Sequence, residues 1–279
     1  MRVRIRAYAK TNLGLRVLGR REDGYHQIQT VMQSISLADE LVLEPRPGAE
    51  GVTLEVEPDL GLPAAENLAY RAARLILERA GCRKGVHIRL SKGIPAGAGL
   101  GGASSDGAAT LAGLNELLGL GFGKDELKAL GLELGSDVPF FFEGGTCSVS
   151  GRGERVKRLP RLPLYHLVLL VPPFPLPTPE VYAAFDKIGH QSVDSGDDIP
   201  GLLRNDLQRA ALALRPELED YRDFLRGASA EFWGMSGSGP AWFAGFSERE
   251  RAAALAARAA GLPGQAILTE TIERSYECC

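Results

Sequence analysis

A glycine-rich loop near the middle of the chain has the composition of a binding site for a phosphate chain. Its four glycines are Gly97, Gly99, Gly101 and Gly102. Glycine carries no side chain and adopts positive φ at little cost, so several backbone N–H groups of such a loop can point at one anion. The residue types and their spacing therefore predict that this loop holds phosphates.

The elements on either side of the loop would position it. Val86, Ile88 and Leu90 alternate with polar residues, which predicts a short strand before the loop. Apolar residues at three- and four-residue spacing between 108 and 114 predict a helix after it. The Ser-Ser-Asp run at 104–106 is expected to cap that helix, whose free N–H groups and partial positive charge face the same anion.

Three other kinds of glycine-containing loop have requirements that this one does not match. A dinucleotide-binding fingerprint needs an acidic residue at the end of a second strand, whereas Glu116 lies inside the predicted helix. A Walker A loop is absent, because Asp125 follows Gly123-Lys124 where Ser or Thr is required. A purely structural turn would need a single glycine rather than four. The phosphate site remains the favoured interpretation.

The run from Pro95 to Ser105 resembles the phosphate loop of the GHMP kinases, named for galactose, homoserine, mevalonate and phosphomevalonate. The resemblance implies that the loop binds ATP. Asn67 resembles a family residue near adenine, although its position before a helical pattern is also typical of an N-cap. The ATP-binding residues implied in this way are Pro95, Ala96, Gly97, Ala98, Gly99, Leu100, Gly101, Gly102, Ala103, Ser104, Ser105 and Asn67.

Two further motifs that match the family imply the reacting groups. The first predicted strand ends in Ala-Lys-Thr-Asn, and the resemblance places Lys10 beside the reacting hydroxyl and Asn12 at the substrate. Asp137, in Gly-Ser-Asp-Val-Pro, matches the family's catalytic aspartate. On the residues alone, Lys10 is typical of a surface lysine and Asp137 of a turn or capping residue.

A third group of residues is implied to bind the acceptor substrate. The block Asp-Gly-Tyr-His resembles that of the cytidyl branch of the superfamily, in which the tyrosine stacks on cytosine and the histidine hydrogen-bonds the edge of the base. Tyr25 and His26 take these roles here, and Thr178 matches a threonine near the substrate. The implied partner is a small molecule, a cytidyl diphosphate sugar alcohol.

The resemblance also implies the cofactors and the reaction. ATP would donate its γ-phosphoryl group to a hydroxyl of the cytidyl substrate, and Mg²⁺ would bridge the phosphate oxygens. Ser105 is the candidate metal ligand. Another GHMP kinase, of the homoserine or mevalonate type, is one alternative function, and a non-catalytic nucleotide-binding module is another.

The family's fold is of the α+β class, with two domains and the active site between them. The resemblance implies an N-terminal ATP-binding domain at 1–155, built on a mixed or antiparallel sheet with helices, and a smaller C-terminal α+β domain at 156–279. Alternating patterns at 40–45 and 51–57 predict a hairpin. The acidic segment 190–199 is expected to be a loop that orders on binding, and a second glycine loop is expected at 234–240.

Composition limits the remaining classes of partner and location. The 279 residues carry a formal net charge of -3, which gives no electrostatic basis for binding nucleic acid or an anionic membrane. There is no run of about eighteen apolar residues, and the N-terminus lacks a signal-peptide core. The four cysteines show no metal spacing, so a reducing cytoplasm is expected. Nothing in the sequence specifies an oligomeric state.

Overall fold

A computed structural model describes residues 2–189 and 204–278, which form two β-sheets with helices. The strands of the larger sheet are β1 (Val3–Arg20), β2 (His26–Arg46), β3 (Val52–Glu57), β4 (Gly85–Ser91), β5 (Thr146–Gly151), β6 (Arg155–Arg158) and β11 (Tyr276–Cys278). Their main order is β11-β1-β2-β4-β3, and β5 pairs with both β2 and β6. All of these pairs are antiparallel except β3 with β4.

The long strands β1 and β2 form the centre of this sheet. Val3, Ile5 and Ala7 are buried, whereas the arginines between them are exposed, which is the alternation expected of a strand with one buried face. Register shifts interrupt the pairing at Tyr8/Lys10, Asn12/Gly14 and Val17/Gly19. Such irregularities bend a strand and redirect its side chains, here around two functional residues predicted from the sequence.

Two helices, α1 (Leu68–Arg79) and α2 (Gly102–Leu118), pack against the larger sheet, and α3 (Lys124–Leu134) packs against both of these helices. The approach of α2 is close, because a Cβ atom on Gly113 would lie 2.3 Å from Cδ1 of Ile5. The bounds of α3 agree with those of the helical pattern in the sequence. A 3₁₀ helix, Val138–Phe142, follows α3 and buries three phenylalanines in the same core.

The second sheet has the order β10-β7-β9-β8. Its strands are β7 (His166–Val171), β8 (Phe232–Met235), β9 (Trp242–Phe246) and β10 (Gln265–Glu270), and its helices are α4 (Thr178–Ile188), α5 (Gln208–Leu214), α6 (Leu218–Arg226) and α7 (Arg249–Arg258). Val168 and Leu170 pack in the cluster that contains these helices. Leu167 and Leu169, on the opposite face of β7, pack in a cluster with residues of β1 and the glycine loop. A strand buried on both faces explains its continuous apolar sequence.

The predicted α+β class, with two sheet-and-helix units and a site between them, is confirmed. The predicted hairpin is wrong: β3 does not pair with β2 but lies parallel to β4 at the edge of the sheet. The apolar faces of β2 and β3 are covered by different helices, which local alternation could not reveal. The boundary at 155/156 falls inside β6 and stays a prediction. The expected loop at 190–199 lies outside the described residues.

Candidate active site

The glycine loop connects β4 to α2, as its flanking patterns predicted, and is held from two sides. Gly97, Gly99 and Gly101 have φ values of 67°, 78° and 73°. A Cβ atom on Gly99 would lie 2.6 Å from the carbonyl oxygen of Ser236, and one on Gly101 would lie 2.9 Å from Cγ of Lys10. The second glycine loop and Lys10 therefore occupy the space that side chains would need, and the loop is fixed with its backbone accessible.

The start of α2 differs from the sequence prediction in one respect. Gly101 is the N-cap residue and no side chain caps the helix, so the prediction of a Ser or Asp cap at 104–106 is wrong. Ser105 is buried, and its hydroxyl donates to the carbonyl oxygen of Tyr8 over 2.7 Å. Ser104, not Ser105, lines the adjacent cavity. The assignment of Ser105 as metal ligand therefore does not fit the structure, because its side chain faces β1.

Lys10 and Asp137 meet across the cavity as an ion pair. Nζ of Lys10 lies 3.2 Å from Oδ2 of Asp137, and the two side chains are 5% and 32% exposed. The same nitrogen donates to Oδ1 of Asn12 over 2.6 Å and to the carbonyl oxygen of Gly99 over 3.0 Å. The ammonium group is thus held by three groups beside the phosphate loop, and the more accessible carboxylate faces the cavity.

Asn12 is fixed by contacts that the sequence did not reveal. Its Nδ2 donates to Oγ1 of Thr30 on the neighbouring strand over 2.9 Å, and Thr30 donates to the carbonyl oxygen of Gly14 over 2.5 Å. Its backbone N–H donates to the hydroxyl of Ser236. Because the amide nitrogen is engaged by Thr30, the amide oxygen points at Lys10.

The cavity beside the loop has a volume of about 400 Å³ and a lining of two chemical kinds. Glycine-loop residues and Ser104 form one part of the lining, which suits phosphates. Leu60, Leu62 and Leu68 contribute apolar surface elsewhere in its lining. Asn67 lines the cavity too, and its Oδ1 accepts from the backbone N–H of Ala69 over 2.9 Å. Asn67 is therefore both the N-cap of α1 and a residue that lines the prospective nucleotide site, the two alternatives that the sequence left open.

A second cavity of about 410 Å³ contains the residues predicted to bind the acceptor substrate. The Tyr25 ring is 52% exposed, and the guanidinium carbon of Arg152 lies 5.2 Å from its centroid. His26 stacks on Tyr182 with ring centroids 4.7 Å apart, and its Nε2 lies 2.7 Å from Oδ1 of Asp186. This arrangement provides aromatic faces and a fixed imidazole, the groups that suit a flat heterocycle.

The two cavities share part of their lining. The residues common to both are Ile28, Asp137, Thr178 and Tyr182. Thr178 begins α4, and its hydroxyl lies 2.8 Å from that of Ser238 in the second glycine loop. A molecule in one cavity can therefore meet a molecule in the other at the Asp137 carboxylate.

Comparison with known proteins agrees with this geometry. Residues 67–145 match the family GHMP kinases N terminal domain, and residues 182–262 match GHMP kinases C terminal. A protein from Pelotomaculum thermopropionicum named 4-diphosphocytidyl-2-C-methyl-D-erythritol kinase is 44% identical over 277 residues, covering 95% of this chain and 96% of the relative. The chain belongs to the GHMP kinase family. It is accordingly an ATP-dependent small-molecule kinase.

Solved structures show the same fold for this GHMP kinase. A crystal structure of 4-(cytidine 5'-diphospho)-2C-methyl-D-erythritol kinase matches with a TM-score of 0.78 at 39% identity, covering 96% of this chain and 98% of the other. Homoserine kinase from Cytophaga hutchinsonii matches with a TM-score of 0.74 at 19% identity, covering 100% of this chain and 97% of that one. At that identity the second match concerns the fold alone.

Several residues of this GHMP kinase's site were missed in the sequence. Tyr182 lines both cavities, and its burial, followed by the nearby carboxylate of Asp137, raises the pKa of its hydroxyl. Its position four residues after Thr178, on one face of a helix, was the available signal. Arg152 and Asp186 had no signal, because they reach the second cavity from β-turn and helix positions far apart in the chain.

Proposed function

We propose that this kinase transfers the γ-phosphoryl group of ATP to the 2-hydroxyl of 4-diphosphocytidyl-2-C-methyl-D-erythritol, a step of the non-mevalonate route of isoprenoid biosynthesis. The observation that carries the proposal is the junction of the two cavities at Asp137, with the phosphate loop in one and the Tyr25-His26 block in the other. The relatives that bear this enzyme's name, matched along nearly the whole chain, support the same assignment.

In this proposal each cavity holds one reactant. The triphosphate lies on the backbone of the glycine loop and the N-terminus of α2, with the nucleoside toward Asn67 and the leucines. The cytosine stacks on Tyr25 and lies near His26, and Thr178 hydrogen-bonds the part of the substrate closest to the junction. The acceptor hydroxyl then lies beside Asp137. Holding both reactants in line supplies much of the catalytic effect in phosphoryl transfer.

Asp137 and Lys10 take the chemical roles at the junction. The Asp137 carboxylate accepts the proton of the 2-hydroxyl while the hydroxyl oxygen of the substrate forms the new bond to the γ-phosphorus atom. The bond between that phosphorus and the bridging oxygen breaks, and the oxygen leaves with ADP. The buried ammonium of Lys10 keeps the carboxylate oriented and stabilises negative charge on the transferring group. Asn12 holds Lys10 in place through its amide oxygen.

The donor set of the site fits a magnesium ion that ATP brings with it. In residues 2–189 and 204–278, no group of three or more His, Cys, Asp or Glu side chains could hold a metal by itself. Mg²⁺ bound to a nucleotide keeps several waters and needs only one or two protein oxygens besides the phosphates. Ser104, which lines the cavity beside the phosphate loop, would offer one such oxygen, and the Asp137 carboxylate is left to the acceptor hydroxyl. The ion would neutralise charge on the phosphate oxygens.

Location and partners beyond the two reactants remain sequence predictions. None of the helices in the described part of the chain combines the length and apolar character that a bilayer crossing requires. The reducing cytoplasm is proposed from the cysteine content alone.

The test is ADP release measured with a panel of alcohols under the same conditions. The panel comprises the cytidyl substrate, 2-C-methyl-D-erythritol 4-phosphate, homoserine and mevalonate. We expect turnover with the cytidyl substrate and at least ~100-fold lower kcat/KM without the cytidyl group, because the stacking contacts at Tyr25 are then lost. Preferred turnover of homoserine or mevalonate would assign another kinase of the family, and ATP binding without turnover of any alcohol would assign a nucleotide-binding module.

A further inference from the structure

Lys92, Asp39 and Asp106 form a buried cluster of charged side chains. The cluster lies at the wall of the cavity beside the glycine loop, here called the nucleotide cavity. Nζ of Lys92 contacts Oδ2 of Asp39 and lies 2.8 Å from Oδ2 of Asp106. The second oxygen of Asp39 accepts the backbone N–H groups of Gly93 and Ile94 over 2.7 and 2.8 Å. Asp39 thus has partners for both oxygens and neutralises the lysine, so Asp106 is not required for that purpose.

The second oxygen of Asp106 is in a different position. The residue is 2% exposed, and among the residues that the structure describes Oδ1 has no hydrogen-bond partner. Asp106 also lines the nucleotide cavity. A buried polar atom without a partner is costly, and one whose residue lines a cavity can be satisfied by a ligand or a water bound there.

The position of Asp106 on α2 indicates which part of a nucleotide it meets. Gly102 lies one turn before Asp106, at the end of the phosphate loop. A Cβ atom added to Gly102 would lie 3.4 Å from Oδ2 of Asp39. Gly107, the next residue after Asp106, faces Leu68, with 3.6 Å between an added Cβ and that of Leu68. Asp106 is therefore about 6 Å along the helix axis from Gly102, at the level of the residue that packs on Leu68, which also lines the cavity. A nucleotide has its sugar between phosphates and base.

We propose that Oδ1 of Asp106 hydrogen-bonds a ribose hydroxyl of ATP, and that Lys92 holds the carboxyl group in position for this contact. The proposal rests on the proposed function only in taking ATP as the phosphoryl donor. Under this proposal Asp106 contributes to nucleotide specificity through its contact with the sugar. It takes no part in phosphoryl transfer.

The chemistry of the cluster favours a hydroxyl over an amino group of the base. Burial, opposed by Lys92 and reinforced by Asp39, raises the pKa of Asp106 well above its usual range. A hydroxyl donates to a carboxylate and accepts from a carboxylic acid, so it satisfies Oδ1 in either state. A base amino group can donate to either form but cannot accept the proton of the acid, so it does not serve both states of Oδ1.

The test is calorimetric binding of magnesium nucleotides to the full chain without any acceptor alcohol. ATP, 2'-deoxyATP, 3'-deoxyATP and ITP are compared on the wild type and on Asp106→Ala. We expect the wild type to bind one deoxy analogue about 10-fold more weakly than ATP, the upper end of the range for a single buried hydrogen bond. Asp106→Ala should bind ATP and that analogue equally, each with the affinity of the wild type for the analogue.

Two further variants control for structural effects. Asp106→Leu has a similar volume, cannot hydrogen-bond, leaves Lys92 paired with Asp39, and should give the same result if the alanine variant folds poorly. Thr110→Val alters a buried residue one turn further along α2, whose hydroxyl donates to the carbonyl oxygen of Asp106. It should keep the wild-type preference for ATP over the analogue.

Three results would overturn the proposal: equal binding of ATP and both deoxy analogues by the wild type, an undiminished preference in the Asp106 variants, or loss of the ATP-over-ITP preference instead. The last result would transfer the contact to the base. Because no acceptor is present, these results are independent of which alcohol is phosphorylated. Failure of the substrate assignment would leave the binding data unchanged.

Discussion

Nζ of Lys10 and Oδ2 of Asp137 lie 3.2 Å apart, although one residue comes from the central strand of the larger sheet and the other from the turn after α3. Lys10 is almost completely buried, while Asp137 is one-third exposed toward the cavities. The carboxylate is therefore held by a rigid cation on one side and is open to a substrate hydroxyl on the other. This geometry is the basis of the proposed phosphoryl transfer.

Asp137→Asn should lower kcat by roughly 10²- to 10⁴-fold, because the amide cannot accept the hydroxyl proton. The Kd for ATP should stay within a few-fold of the wild type, since the phosphates lie on the backbone of the loop. Steady-state kinetics and calorimetry provide the two quantities. Asp125→Asn, at a side chain that is 98% exposed, is the matched control. An unchanged kcat for Asp137→Asn would remove Asp137 from the chemical step.

Tyr25→Ala should raise KM for the cytidyl substrate about 5- to 100-fold, the scale of a lost base–aromatic stacking contact, and change kcat little. Tyr25→Phe retains the ring and should stay close to the wild type. The ATP titration at saturating substrate serves as an internal control, because Tyr25 lines the second cavity and not the first. If Tyr25→Ala has a normal KM, cytosine does not stack at this position.

Gly99→Ala should weaken ATP binding at least ~10-fold, since the added methyl group would meet the carbonyl oxygen of Ser236 at 2.6 Å and push the phosphate loop out of place. Gly119→Ala is the matched control: its φ is also positive, at 62°, but nothing lies within 4 Å of the added atom. That variant should lose about 1 kcal/mol of unfolding free energy and bind ATP normally. Equal effects of the two substitutions on ATP affinity would contradict the close packing of the two loops.

Glu143 provides a pH-dependent contribution to stability. Although partial burial tends to raise its pKa, hydrogen bonds from Lys124 and Lys128 outweigh this and lower the pKa. A lowered folded-state pKa contributes stability above the unfolded value of about 4.3, which is lost as pH falls through the folded value. Wild type should therefore exceed Glu143→Gln in unfolding free energy by at most about 1 kcal/mol at pH 7, with the difference vanishing in acid. Urea unfolding from pH 7 to pH 3 measures it, and a constant difference would contradict the ion pairs.

The features predictable from sequence were those encoded in short stretches. The glycine loop follows from residues that are contiguous, and the Asn67 cap and the bounds of α3 follow from local capping and periodicity. The fold class and the family followed from motifs in order along the chain. Each of these motifs lies within a few turns of helix or one strand.

What the sequence did not reveal depends on contacts between distant segments. Thr30 orients Asn12 from the neighbouring strand, and β3 pairs in parallel with β4 rather than with its predecessor. Ser104 and Ser105 were indistinguishable in sequence because each is a small polar residue in the first turns of α2. Only the rotation of that helix against β1 decides which serine faces the cavity.

The most direct test of the central claim is transfer of label from γ-³²P-ATP to the cytidyl substrate, followed by phosphorus NMR of the product. The account predicts one labelled phosphate per ADP formed, as a new phosphomonoester at the 2-hydroxyl, and label transfer slowed roughly 10²- to 10⁴-fold with Asp137→Asn. Label released only as inorganic phosphate, or found on a different hydroxyl, would contradict it.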